Sequence, residues 1–449
     1  MSNFEVKVVK IDAVENHPNA DRLSIIKIGG FDCISGKLED GSHRYNTGDL
    51  VVYIPEAAVV PEWILRKLGF WDQNCGTLSG SHGNRVKAIK LRKIVSQGIL
   101  FPVTKSMIPD STLPLSTFTV HAEYTQKDID ELRFHFDSGN AGLENEEYEA
   151  AIAEVDALVP GNIRASMNVA EGDDVAAFLG ITKYEPTVPV SMQGKIGTLF
   201  GYTKSYDIEN LQKNMNAFEE NEPVVMTEKL HGTLCQVGYL TNLPEEKAND
   251  VFLASENPKI HSYVTSKGLA KSGLIQKNSD DNQENIYVKA YKDYFDNEQV
   301  VNAVKSLMEA ESAYNKASIN VYVFGEVFGK GIQDLGYDTE PTFNVFDVYV
   351  SLNGENNGYY LNDKFLEQFC TEAGLNRVPV LYRGPYSIEK ATEVRDGKTT
   401  LGNKSHIREG IVIRPTIEKY NVRGLPDGRL QLKFVSPDYL LRKDGTEFN

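Results

Sequence analysis

The second half of this chain repeats one local design five times: a strand fragment bearing one functional-looking side chain beside small or apolar neighbours. The first is Thr227-Glu228-Lys229-Leu230-His231-Gly232-Thr233. Then follow Phe324-Gly325-Glu326-Val327-Phe328-Gly329, Phe343-Asn344-Val345-Phe346-Asp347-Val348, Arg408-Glu409-Gly410-Ile411-Val412-Ile413-Arg414 and Gln431-Leu432-Lys433-Phe434-Val435-Ser436. Runs this short, bounded by turn residues, read as strands. A lysine at a strand end can face a pocket, and a glycine three positions later lets the backbone approach a phosphate or sugar closely. A lysine-glycine pair alone carries little weight, because surface lysines near glycines are common; five ordered fragments within about two hundred residues carry much more.

Around these fragments, residues 189–449 alternate strands (224–227, 320–324, 343–350, 410–414, 429–435) with helical stretches (285–295, 298–317, 363–372). That mixture fits an α+β domain built on antiparallel sheets. Residues 1–104 differ. Short strands at 4–11, 24–28, 50–54, 85–91 and 98–101, separated by Gly, Asp and Asn turns, suggest a small β-barrel. Asn16-His17-Pro18-Asn19-Ala20-Asp21-Arg22-Leu23 resembles the opening segment of OB-fold nucleic-acid-binding modules of the tRNA-binding type. Read without that resemblance, it is a turn in which Asn19 and Asp21 satisfy backbone amides. Arg85, Lys87, Lys90, Arg92 and Lys93 add a basic strand, which suits a polyanion or an ordinary solvated face.

Residues 105–188 turn acidic, with Asp128, Asp130, Glu131, Glu144, Glu146, Glu147, Glu149, Glu154, Asp156, Asp173 and Asp174. Helical spacing occurs near 128–136 and 144–158, and a short helix at 171–180 is closed by Gly180. We read this region as an insertion and connector with a solvated acidic face. The formal charge of −16 argues against a generic nucleic-acid coat protein, although a charge-segregated chain still binds a polyanion through local positive potential. Four widely spaced cysteines form no metal or disulfide framework, so reduced structural thiols are expected and zinc is not. No apolar run is long enough to span a bilayer and no signal-peptide pattern opens the chain; a soluble, intracellular protein, cytoplasmic or nuclear, is expected.

In order and spacing, the five fragments resemble the nucleotidyltransferase motifs of polynucleotide ligases and mRNA-capping enzymes, and the K-x-H-G-T form of the first resembles RNA ligases in particular. The fuller resemblance is to ATP-dependent RNA ligases of the Deinococcus type, which fuse an N-terminal OB domain to an adenylyltransferase domain. The resemblance implies an OB-like β-barrel followed by an antiparallel-sheet nucleotidyltransferase domain. It implies an enzyme that uses ATP with Mg2+ or Mn2+ to seal 3′-OH and 5′-phosphate RNA ends in RNA repair, on a nicked duplex or an RNA/DNA hybrid.

The resemblance assigns Lys229 as the nucleophile that carries AMP, and Glu228, His231 and Gly232 as its neighbours in the nucleotide site. Glu326 and Glu409 match carboxylates that bind ribose or orient a divalent metal, a hard cation preferring oxygen. Phe346 and Val412 match the two walls of an adenine slot, and Lys433 matches the lysine on the α-phosphate. Lys267 matches a basic residue that relatives often hold as arginine, and Arg414 is a further phosphate candidate. From the residues alone, Glu326 and Glu409 are equally strand-end carboxylates in salt bridges, Phe346 and Val412 core, and Lys433 and Arg414 solvated strand-end cations. Two departures stand out: His231 where many DNA ligases have aspartate, and Gln431 where some ligases have another lysine. A DNA ligase or capping enzyme would usually carry its OB domain after the catalytic domain, whereas little chain follows Lys433 here. A non-catalytic OB-fold RNA-binding protein would not need Lys229, Glu326, Glu409 and Lys433 together.

Overall fold

A computed structural model describes residues 4–107, 116–138, 153–184, 194–241, 243–253, 260–315, 317–352, 357–402 and 406–442. It divides into two compact units, one spanning Asn3–Tyr184 and the other Glu185–Asn449 with Met1–Ser2.

In the first unit, strands Lys7–Lys10, Leu50–Ile54 and Ile99–Pro102 form one antiparallel sheet, and Ala13–Asn16, Leu23–Ile28 and Phe31–Gly36 form a meander. Their hydrogen-bond ladders make separate small sheets among the described residues, not one continuous ring. The expected basic strand is shorter than its sequence suggested. Only Ile89–Leu91 is strand; it turns through Arg92 and Lys93, both at positive φ, into Ile94–Ser96. The opening segment supports this hairpin from below. Buried His17 lies 3.2 Å from the Leu91 carbonyl, and the Asn19 amide donates to the Arg92 carbonyl at 2.9 Å. It is thus His17 that accepts from a turn amide, that of Asn19, at 3.1 Å, while Asn19 acts as a donor.

The acidic region is not a connector. Strands Thr104–Met107, Ser116–Glu123 and Ile163–Asn168 form an antiparallel sheet beside helix Gln126–Ser138. Val120, Val169, Val175, Leu179 and Ile181 share a core with Val6, Val8, Val52 and Phe101. The two units divide after Tyr184, so the acidic region belongs to the first unit. The expected helix at 144–158 lies mostly outside the described residues; the short helix expected at 171–180 is Ala176–Leu179, closed by Gly180 at φ 70°.

The second unit holds two sheets, antiparallel except where Glu209–Asn210 runs parallel to Leu432–Val435. An eight-stranded sheet has at its centre Thr233–Leu240, Ile319–Phe328 and Thr342–Leu352. One face is covered by helices Ile286–Tyr294, Glu298–Asn315 and Asp363–Ala373, which bury Val237, Val323, Val348 and their neighbours. The first helix is capped by Asn285, whose side chain accepts from the Tyr287 and Val288 amides. A five-stranded sheet orders Glu209–Asn210, Leu432–Val435, Gly410–Pro415, Pro223–Lys229 and Val380–Pro385. Its outer face packs Val224, Met226, Ile411 and Ile413 around Ala391 of helix Ile388–Arg395.

Candidate active site

Side chains alternate along a strand, and cross-strand partners share a face. In the five-stranded sheet Thr227 pairs with Val412, Lys229 with Gly410, Val225 with Arg414, and Val412 with Lys433. Lys229, Val412, Lys433 and Arg414 therefore lie on one face, opposite the face that packs Val224 and Met226. The same alternation turns Glu228 to the packed side. There its Oε2 accepts from the Thr400 amide at 2.9 Å and hydroxyl at 2.7 Å. The Glu228 side chain therefore points away from the face that carries Lys229, and only its backbone shares that strand end.

Glu326 and Phe346 come from the other sheet. Phe324 pairs with Asp347 but Gly325 with Val345, so Phe346 is the extra residue of a β-bulge. A bulge re-aims a side chain. Phe346 stays half-exposed against Tyr206, ring centroids 5.1 Å apart, and belongs to no fully buried cluster. Val412 is half-exposed as well. Neither is the ordinary core residue its sequence context allowed.

Lys229 ion-pairs with buried Glu409. Burial opposes ionisation of Glu409, but the charges and hydrogen bonds of Lys229 and His231 outweigh it and hold the carboxyl down to about 2. Glu326 behaves oppositely: burial, reinforced by Glu409 and only partly offset by Lys229, pushes it up to about 7. Lys433 is brought down to about 8 by burial and by the positive charges of Lys229 and Lys267. Lys267 pairs with Asp207 at 2.7 Å and stays about half exposed. The sequence-predicted Lys229, Glu409, Glu326, Lys433 and Lys267 thus form one electrostatically connected group.

His231 is buried at 3% exposure with both ring nitrogens engaged. Nε2 lies 2.7 Å from Asp334 Oδ1, and Nδ1 lies 2.7 Å from the Tyr439 hydroxyl and 3.7 Å from Glu409 Oε2. Its backbone amide donates to the Tyr337 hydroxyl at 2.7 Å. Gly232 is required by space: a Cβ there would meet the Val327 carbonyl at 2.2 Å and Glu326 Cγ at 2.9 Å.

Arg414 is neither a phosphate ligand nor a solvated cation. At 3% exposure it donates to Glu418 at 2.8 Å and to the Leu361 carbonyl at 3.2 Å, and lies 3.5 Å from Asp347. Arg429 completes the cluster, donating to Asp347 at 2.5 Å and to Glu418 at 2.6 Å. Gln431 accepts from Tyr206 at 2.9 Å and from Arg429 at 3.1 Å, so it belongs to this cluster. Sequence reasoning missed Asp207, Asp334, Tyr337 and Tyr439. Nothing in their local pattern marks them; only the fold brings them to the site.

Two antiparallel sheets that gather a strand-end lysine, two carboxylates and a second lysine, behind a separate β-rich unit, define the nucleotidyltransferase fold. The comparisons are specific. Residues 222–434 match the RNA ligase family and residues 5–103 match an OB-fold domain. The chain carries a domain of the RNA ligase family preceded by an OB-fold domain. Among solved structures it is similar to an RNA ligase from Naegleria gruberi. A lysine-to-alanine mutant of that ligase with ATP and Mn aligns at 17% identity and TM-score 0.60, covering 97% of this chain and 98% of that one. A glutamate-to-alanine mutant with AMP and Mn aligns at 17% and 0.58, and the ligase with PPi at 18% and 0.57, each covering 98% of both chains. No curated protein matches. Among the described residues, no helix is long and apolar enough to cross a membrane.

Proposed function

We propose that the protein is an ATP-dependent RNA ligase that joins a 3′-OH to a 5′-phosphate through an AMP held on Lys229, and that it serves RNA repair. The observation that carries this reading is the meeting of Lys229, Glu409, Glu326 and Lys433 on facing elements of the RNA ligase domain. The Naegleria ligase structures with ATP, AMP, PPi and Mn support the same chemistry.

In the first step the Lys229 amine, unprotonated, attacks the α-phosphorus of ATP; a nitrogen–phosphorus bond forms, the α–β bridging bond breaks, and pyrophosphate leaves. Lys433, on the same sheet face one strand beyond Gly410–Pro415, neutralises charge that develops on the α-phosphate. Phe346 and Val412 hold the base, and Lys267 contributes positive potential. AMP then passes to an RNA 5′-phosphate, and a 3′-hydroxyl displaces it to seal the strand. The OB-fold domain holds RNA during these later steps.

Glu326 and Glu409 fit Mg2+ or Mn2+. Both offer hard oxygen donors, and the raised titration of Glu326 marks a place where negative charge lacks compensation. A divalent ion held there supplies charge stabilisation to the triphosphate. Among the described residues, no group of three or more His, Cys, Asp and Glu side chains gathers around a common point.

Incubation with labelled ATP and either cation is expected to leave a covalent adenylate on the wild type and none on Lys229→Ala. Labelled GTP is the control for base choice. An adduct mapped to another residue, or none with any cation, overturns the proposal.

A further inference from the structure

The helical turn Pro437–Leu440 follows the Lys433 strand and none of the five motif fragments includes it. It reaches the nucleophile segment nonetheless. The Tyr439 hydroxyl lies 2.7 Å from His231 Nδ1, with the two rings edge to face. Arg442 donates to Asp334 at 2.9 Å, and its guanidinium lies 3.7 Å over the Tyr439 ring. Asp334 in turn meets His231 Nε2. The imidazole is gripped at both ends, and the two grips are themselves joined through Arg442.

The opposite wall of the grip is strained. Tyr337 and Asp338 are consecutive non-glycine residues at φ 54° and 50°, a region that costs an L-residue energy unless its surroundings enforce it. That conformation seats the Tyr337 hydroxyl on the His231 amide. From this buried position His231 faces Glu409, the partner of Lys229.

We propose that Tyr439 and Asp334, tied together by Arg442, are positioning residues for nucleotidyl transfer: they fix the His231 ring, and through it the Lys229–Glu409 pair, in the geometry of attack. This rests on the ligase reading above. None of the three residues touches the nucleotide on that reading, so their contribution falls on the chemical step, while Phe346, Val412 and Lys433 carry nucleotide affinity.

The test is single-turnover formation of the lysyl adenylate across a range of ATP concentrations, using full-length wild type, Tyr439→Phe, Asp334→Asn and the double variant. Tyr439→Phe keeps the ring and removes only the hydroxyl; Asp334→Asn is the independent second probe. Each single variant is expected to lower the rate at saturating ATP about tenfold, the effect of one lost hydrogen bond to a charged or buried group, with ATP half-saturation within about twofold of wild type. The double variant is expected to lose little more than the worse single, because both act through one ring. Wild-type rates in both singles overturn the proposal. So do losses confined to ATP half-saturation, or losses that multiply in the double variant. Absence of an adenylate on the wild type instead overturns the ligase reading itself.

Discussion

Lys433 has to be charged to neutralise a phosphate, yet burial and two neighbouring cations bring its titration down to about 8. The sign follows directly: the ammonium is present below about pH 8 and is lost above it, well before an ordinary lysine would titrate. ATP half-saturation for adenylation is therefore expected to rise as pH passes through about 8. Lys433→Arg, charged at every accessible pH, should flatten that rise even if its geometry lowers the rate. Lys433→Ala should slow adenylation by roughly 100-fold, the order seen when a donor to developing charge is removed. At this scale the sequence picked out Lys229, Glu326, Glu409 and Lys433, which the fold brings together, because each stands in a fragment whose order and spacing are distinctive. It did not show that the Glu228 side chain turns to the opposite face of the strand from Lys229. It left Arg414 between two readings, neither of which holds. The partners of His231 were illegible, since Asp334 and Tyr439 lie 103 and 208 positions away and only folding makes them neighbours.

Strands and their packing set the next constraints. Gly232 lies where any side chain would strike the Val327 carbonyl, and Gly410 where a Cβ would meet the Phe434 carbonyl at 2.3 Å. Gly232→Ala and Gly410→Ala are each expected to destabilise the protein by roughly 1–3 kcal/mol through forced strand separation, measured by urea unfolding. The two sheets of the second unit are joined by Asp347 on one and Arg414 on the other, with Arg429, from the turn before strand Leu432–Val435, pairing with Asp347 as well. Asp347→Ala leaves Glu418 as the main partner of two buried guanidinium groups and is expected to destabilise the protein, as read by urea unfolding. Two central strands of this unit, Ile319–Phe328 and Thr342–Leu352, were legible within a few residues because their apolar runs are long, whereas Thr233–Leu240, with Gln236 and Gly238 inside it, was not. In the first unit, Ala13–Asn16 and Phe31–Gly36 were not, because polar side chains interrupt both and pairing with Leu23–Ile28 decides their state.

At the scale of the molecule, each unit owns its core, which is the physical basis for independent folding. A fragment spanning 4–184 is expected to unfold cooperatively. One ending at 104 should not, because it lacks Val120, Val169, Val175, Leu179 and Ile181; circular dichroism melts distinguish them. Composition concealed how the acidic stretch packs: it looks solvated when charges are counted, whereas its apolar minority shares a core with Val6, Val8, Val52 and Phe101. The whole chain also has a stake in the bond between Lys229 and Glu409. An ammonium held against a carboxylate keeps its proton, and only the neutral amine has the lone pair that attacks an electrophile, so this pair favours the unreactive form of Lys229.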